Sequence, residues 1–191
     1  MRVYALDPAD ASGEPNAGAE NDLRAIAEGN REALARLYHS HGSAVYAYAL
    51  SILRHREEAE DVQQDTFVQI WRAAGTYRPQ GKPDAWIFPI ARNLAMQRLR
   101  ERKKTVETIP EDWQEEFADD PRMDPSDRVL AAALLESLGD EERQIVVLHI
   151  MTGMKHREIA EMMGKPLSTV LSKYNRALKK LRSAYKEADS L

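Results

Sequence analysis

The stretch Lys155 to Arg182, KHREIAEMMGKPLSTVLSKYNRALKKLR, constrains the fold more than any other part of the chain. It spells a short helix over Lys155 to Met163, a tight turn at Gly164-Lys165-Pro166, and a longer helix from Leu167, the layout of a helix-turn-helix. At about 100° per residue, Leu167, Val170, Tyr174, Ala177, Leu178 and Leu181 fall on one stripe, so the second helix has a single face to bury. Its other face carries Ser168, Thr169, Ser172, Arg176 and Lys179. Short hydroxyls at a helix start, followed by cations a turn or two later, suit a helix whose N-terminal end enters a major groove while its later turns meet phosphates. Eight Lys/Arg against two Glu leave the stretch strongly basic. On this stretch alone, a plain helical hairpin with a solvated basic face would look similar.

Charge elsewhere adds a pattern. The chain of 191 residues carries a net charge of -4, which argues against simple coating of nucleic acid. The charge is segregated, however. Arg92 to Lys104 holds six Lys/Arg against one Glu, whereas Thr105 to Arg128 holds nine Asp/Glu against two Arg. Two basic patches thus flank an acidic bridge. The absence of cysteine excludes disulfides and thiolate zinc sites and fits a reducing compartment. No apolar run approaches membrane-spanning length, and the N-terminus is not signal-like. The expectation is a cytoplasmic chain without membrane insertion.

In chain order, 1–19 is expected to be a disordered tail, with Asn21 capping a short helix that ends at Gly29 and Asn30 capping the next. That helix shows a 3.6-residue period, an expected break at Gly42-Ser43, and His41 on its apolar stripe as a packing or capping residue. In Arg56 to Ala73 the core stripe is Ala59, Val62, Thr66, Ile70 and Ala73. Asp61, Gln64, Asp65, Val68 and Trp71 then face outward, an apolar anchor among carboxylates that suits protein docking. Gly75 to Asp84 is a loop, and with Tyr77 ahead of a helix that turns from aromatic to basic it suits stacking of unpaired bases. Pro89 predicts a late start of that helix, or a kink. Residues 105–127 read as an extended acidic linker. Ser126 caps a helix through Leu138, and Asp140 caps another that ends before Gly153. With no strand-like alternation the fold class is all-α: two small helical domains, 20–104 and 128–191, joined by the acidic linker.

Together these residues resemble the extracytoplasmic-function sigma factors of bacterial RNA polymerase. The similarity rests on AEDVQQDTFVQIWRA (Ala59 to Ala73), AWIFPIARNLAMQRLR (Ala85 to Arg100) and the run from Leu135 to Arg182. It implies that Asp61, Gln64, Asp65, Val68 and Trp71 dock on the β′ coiled coil of core RNA polymerase, with the β subunit as a further contact. The loop and helix would then melt the minus-ten element. There Tyr77, Arg78 and Lys82 shape a pocket for a flipped base, Asn93 touches it, and Arg92, Arg98 and Arg100 hold single-stranded DNA phosphates.

The helix-turn-helix would read duplex DNA at the minus-thirty-five element through Lys155, Ser168, Thr169, Ser172, Lys173, Arg176 and Lys179. Leu171 stands where many members carry Arg or Lys, and its place at the edge of the apolar stripe predicts packing instead. The resemblance also implies an anti-sigma factor as partner and places the acidic linker in the polymerase's RNA-exit path. A stand-alone helix-turn-helix repressor or a response-regulator-like DNA-binding protein is the competing expectation. It leaves the docking helix without a task. No enzyme, cofactor or metal site is expected, since His39, His41, His55, His149 and His156 have no ligand or triad spacing.

Overall fold

The computed structural model describes residues 15–105 and 136–188, and seven α-helices with one short 3-10 turn account for nearly all of them. They are α1 (Pro15–Ala27), α2 (Arg31–Leu53), α3 (Arg56–Ala73), the turn Ala74–Thr76, α4 (Pro83–Thr105), α5 (Asp140–Thr152), α6 (His156–Met163) and α7 (Leu167–Ala188). Among the described residues there is no strand, and no helix is long and apolar enough to cross a membrane. The acidic segment expected over 105–127, apart from Thr105, and most of the helix expected over 126–138 lie outside them, beyond Thr105 at one end and before Glu136 at the other.

Local chemistry explains most boundaries. Asn30 caps α2 by accepting from the amides of Glu32 (2.9 Å) and Ala33 (3.1 Å). His55 does the same for α3 through Nδ1, which accepts from the Glu58 amide at 3.4 Å. Glu142 Oε2 accepts from the Gly139 amide at 3.1 Å, so the cap of α5 is Gly139 and Asp140 is its first helical residue. At the turn between α6 and α7, Gly164 has φ +63, the left-handed conformation in which a Cβ is penalised. Pro166 then precedes the first residue of α7.

Several boundaries differ from the sequence reading, each because burial outweighs local preference. α1 begins at Pro15, not at Asn21, because Ala19 and Leu23 are both buried against the neighbouring helices. The last five residues assigned to the tail are therefore helical. No break occurs at Gly42-Ser43: α2 is continuous, and Gly42 is where α3 comes close, its carbonyl accepting from Gln63 Nε2 at 2.8 Å. α4 starts at Pro83 and runs through Pro89, so the late start is wrong. Its first turns bury Ile87 and Phe88 completely, and each such side chain is worth about 1.5–3 kcal/mol, comparable to the cost of an internal proline. Ala73 is half-buried while Phe67 takes a core place, and Leu167 is exposed.

One continuous apolar core runs through both halves of the molecule, from Leu23 and Leu37 through Tyr48, Ile70 and Phe88 to Ile145, Leu148, Ile159 and Val170. Within it Tyr48 meets Phe88 edge-on at 5.8 Å. α2 packs against α3 and α4 on one side and against α5 on the other, and α4 also touches α6. A buried arginine crosses the joint. Arg143 of α5 donates to the carbonyls of Leu138 (2.7 Å) and Ser51 of α2 (3.4 Å). Arg54 at the end of α2 pairs with Asp140, and Lys82 pairs with Glu158 of α6 at 3.2 Å.

Candidate nucleic-acid interface

Three surfaces carry the candidate residues. On α3, Asp61, Gln64 and Val68 are exposed, and Val68 supplies the apolar element of that face. Trp71 is not fully outward: it is half-buried and packs against the core. Asp65 is half-buried because Arg98 of α4 reaches it at 3.2 Å and reaches Asp61 at 3.8 Å. A residue assigned to DNA thus bridges two residues assigned to polymerase.

The second surface is the loop before α4 and the helix itself. Tyr77 does not offer its ring to a base: it is only 7 % exposed, lies edge-on to Trp86 at 5.6 Å, and donates its hydroxyl to Glu20 Oε1 at 3.3 Å. Burial, then the Glu20 carboxylate, raises the Tyr77 pKa above its ordinary value. Glu20 also accepts from the Gly81 amide at 3.2 Å, so α1 anchors the loop at both ends. Arg78 and Lys82 stay exposed on that anchored loop, with Arg78 donating to the Gly75 and Tyr77 carbonyls at 3.4 Å.

Along α4, Asn93, Gln97, Arg100 and Lys104 are exposed at spacings of four, three and four residues, which places them on one stripe. Arg92 is half-buried with its Nε enclosed, and Arg98 is held by the α3 carboxylates. Arg102 belongs to the scaffold. It is buried, pairs with Glu58 at 3.1 Å and donates to the Leu53 carbonyl at 2.9 Å.

The third surface is the helix-turn-helix. Lys155 is exposed at the cap of α6, with its amide donating to Glu158 Oε2 at 3.1 Å. On α7, Val170 and Ala177 are fully buried, and Tyr174, Leu178 and Leu181 are half-buried. The exposed stripe is Ser168, Leu171, Ser172, Asn175, Lys179 and Arg182. Leu171 therefore does not pack into the core as its stripe position predicts; it is 40 % exposed. Thr169 is half-buried.

The nearest cations are engaged by the first turn of α5. Glu141 takes Lys165 (2.8 Å) and Lys173 (3.0 Å), while Glu142 takes Lys180 (2.7 Å) and lies 3.9 Å from Arg176. Hydrogen bonds from Lys165 and Lys173 hold the Glu141 carboxyl below the usual range. Sequence reasoning missed Glu20, Glu141, Glu142 and Asn175. The acidic pair at the start of the helix preceding so basic a stretch was the available signal for two of them.

An all-helical scaffold whose basic surfaces lie on a loop-plus-helix in one half and a helix-turn-helix in the other defines a two-part DNA-binding protein. Residues 37–105 match Sigma-70 region 2, and residues 128–181 match Sigma-70 region 4. The chain is 34% identical over 152 residues to the ECF RNA polymerase sigma factor SigE of Mycolicibacterium smegmatis, an alignment covering 76% of this chain and 59% of that protein. With the ECF sigma factor SigK of Mycobacterium ulcerans it shares 28% identity over 168 residues, covering 84% of this chain and 90% of the relative.

Among solved structures, CnrH in complex with the cytosolic domain of CnrY superposes with a TM-score of 0.61 at 27% identity, covering 90% of this chain and 99% of that one. The sigma factor RpoE of Bartonella quintana, solved with the anti-sigma factor NepR, gives 0.62 at 23% identity over 79% of this chain and 95% of its own, a likeness of fold. The chain belongs to the sigma-70 family of RNA polymerase sigma factors, in its extracytoplasmic-function group. Such factors are initiation subunits and have no catalytic centre of their own.

Proposed function

We propose that this chain directs core RNA polymerase to promoters from the cytoplasm, docking through α3, capturing the melted minus-ten strand on the 77–82 loop and α4, and reading the minus-thirty-five duplex with α7. One observation carries the reading: the exposed polar and basic residues form two stripes, Asn93-Gln97-Arg100-Lys104 on α4 and Ser168-Ser172-Lys179-Arg182 on α7, in the halves matched to region 2 and region 4. Polymerase contact is assigned to Asp61, Gln64 and Val68 foremost, with Asp65 and Trp71 at the edge of the face. At the minus-ten element Arg78, Lys82, Asn93 and Arg100 are assigned direct contact, Arg92 and Arg98 phosphate contact, and Tyr77 the positioning of the loop. At the minus-thirty-five element Ser168, Ser172 and Lys179 point outward, and Lys155, Thr169, Lys173 and Arg176 supply flanking contacts.

An anti-sigma factor is the expected regulator, since RpoE, alike in fold, was solved in complex with the anti-sigma factor NepR, and CnrH in complex with the cytosolic domain of a second protein, CnrY. The first test is co-elution of the purified chain with bacterial core RNA polymerase beside a Gln64→Ala, Val68→Asp variant. Both positions are exposed, so the variant keeps its helical content. Stable co-elution lost at least tenfold in the variant is the expected result. A chain that ignores polymerase and binds duplex DNA as a dimer would favour the repressor.

A further inference from the structure

We propose that Leu171 and Asn175 are the base-reading pair of α7, and that the upstream element this chain recognises is read as thymine and adenine rather than guanine. The inference rests on the promoter-recognition reading above and specifies its substrate. Three observations lead to it. First, the side chains exposed in the first two turns of the exposed stripe are Ser168, Leu171, Ser172 and Asn175, none of which is charged. Second, the lysines near this end are paired with carboxylates of α5, Lys165 and Lys173 with Glu141 and Lys180 with Glu142, while Arg176, exposed and 3.9 Å from Glu142, sits one residue beyond Asn175, on the side of α7 turned toward that carboxylate. Guanine is read most often by a cation that donates twice, to O6 and N7. Third, Lys179 and Arg182, the exposed cations of this stripe, have no ion pair among the described residues and lie one to two turns further on, where phosphates rather than base edges are met.

What remains at the leading end has a definite chemistry. An exposed leucine offers no donor, but it covers the C5-methyl group of thymine well. An asparagine amide both donates and accepts, which matches N6 and N7 of adenine. Leu167, also exposed and one turn before Leu171, extends the apolar strip. Four residues of helix advance about 6 Å, so Leu171 and Asn175 address base pairs roughly two steps apart at about 3.4 Å per step. From Leu167 to Tyr185 the sequence has no acidic residue, so the leucines sit in a positively charged surround that fits DNA.

The test is selection of duplex DNA from a randomised library by the full chain assembled with core polymerase, for wild type, Leu171→Ala, Leu171→Arg, Asn175→Ala and Lys179→Ala. All three positions are exposed, so the four variants keep the fold. Wild type is expected to enrich an element with a T and an A about two positions apart. Leu171→Ala should lose about tenfold preference at the T alone, Leu171→Arg should convert that position to G, and Asn175→Ala should relax the A. Lys179→Ala should weaken all sequences alike. A guanine-rich wild-type element, or unchanged preferences in the Leu171 and Asn175 variants, overturns the proposal. So does loss of polymerase association in Leu171→Arg, which would make the leucines a protein contact. No enrichment by wild type beyond core polymerase alone would instead sink the promoter-recognition reading itself.

Discussion

At the residue scale, the least expected arrangement is a histidine stack under α7. His156 of α6 lies 4.4 Å from His149 of α5, nearly parallel, and Tyr174 of α7 meets both rings edge-on at 4.5 and 5.0 Å. His149 Nδ1 sits 2.8 Å from the Met154 carbonyl, and His156 Nε2 is buried without a hydrogen-bond partner. Burial first, then the neighbouring His149, hold the His156 pKa below 6.5. The unfolded chain therefore takes up a proton at that position at higher pH than the folded one. Stability is complete above about pH 6.5, falls as the pH drops below it, and levels off under the folded pKa. Urea titrations of wild type between about pH 7 and 5 should show this decline, and His156→Phe, which keeps the ring and removes the titration, should flatten it. Equal slopes for the two proteins would mean the acid sensitivity lies elsewhere.

At the scale of elements, the turn of the helix-turn-helix is the piece whose sequence and geometry agree most closely. Gly164 at φ +63 has nothing within 4 Å of where a Cβ would stand, so a methyl group there costs backbone strain and nothing else. Gly164→Ala should lower stability by about 1 kcal/mol. Gly75, equally open but without a positive φ, should tolerate Ala at no cost, or gain about 0.5 kcal/mol from a stiffer unfolded chain. Chemical denaturation of both variants checks the difference.

That contrast also explains what could be read in advance. Helix starts set by capping chemistry, such as Asn30 before α2, and the turn at Gly164-Lys165-Pro166 are written within a few residues of where they act. The start of α4 is not. Pro89 argues for a break, while the burial of Ile87 and Phe88 beneath α2 that overrides it depends on residues far away in sequence. The same holds for the surfaces. Asp61, Gln64, Val68, Asn93 and Lys179 are exposed as their helical phase predicts. Tyr77 is withdrawn by Glu20, a partner 57 positions away, and Lys173 by Glu141. Helical phase says which way a side chain leaves its helix, and nothing about which distant carboxylate meets it.

At the scale of the whole molecule, the shared core makes the two halves one cooperative unit. In a Trp113→Phe background, the remaining tryptophans, Trp71 and Trp86, both report on the N-terminal half. Their fluorescence should lose its folded signal at the same urea concentration as total helicity by circular dichroism. A later second helical transition would show that α5 to α7 unfold separately. The joint that couples the halves also governs how they part. Arg143 is fully buried, and its guanidinium is satisfied by carbonyls from both sides of the joint and by Asp140. Parting the halves would bare apolar core residues such as Ile145 and Leu148, and together with them a cation that water solvates eagerly. Hydration of that guanidinium thus offsets part of what the joint loses on opening, a compensation that a joint made of side-chain methyl groups alone would lack.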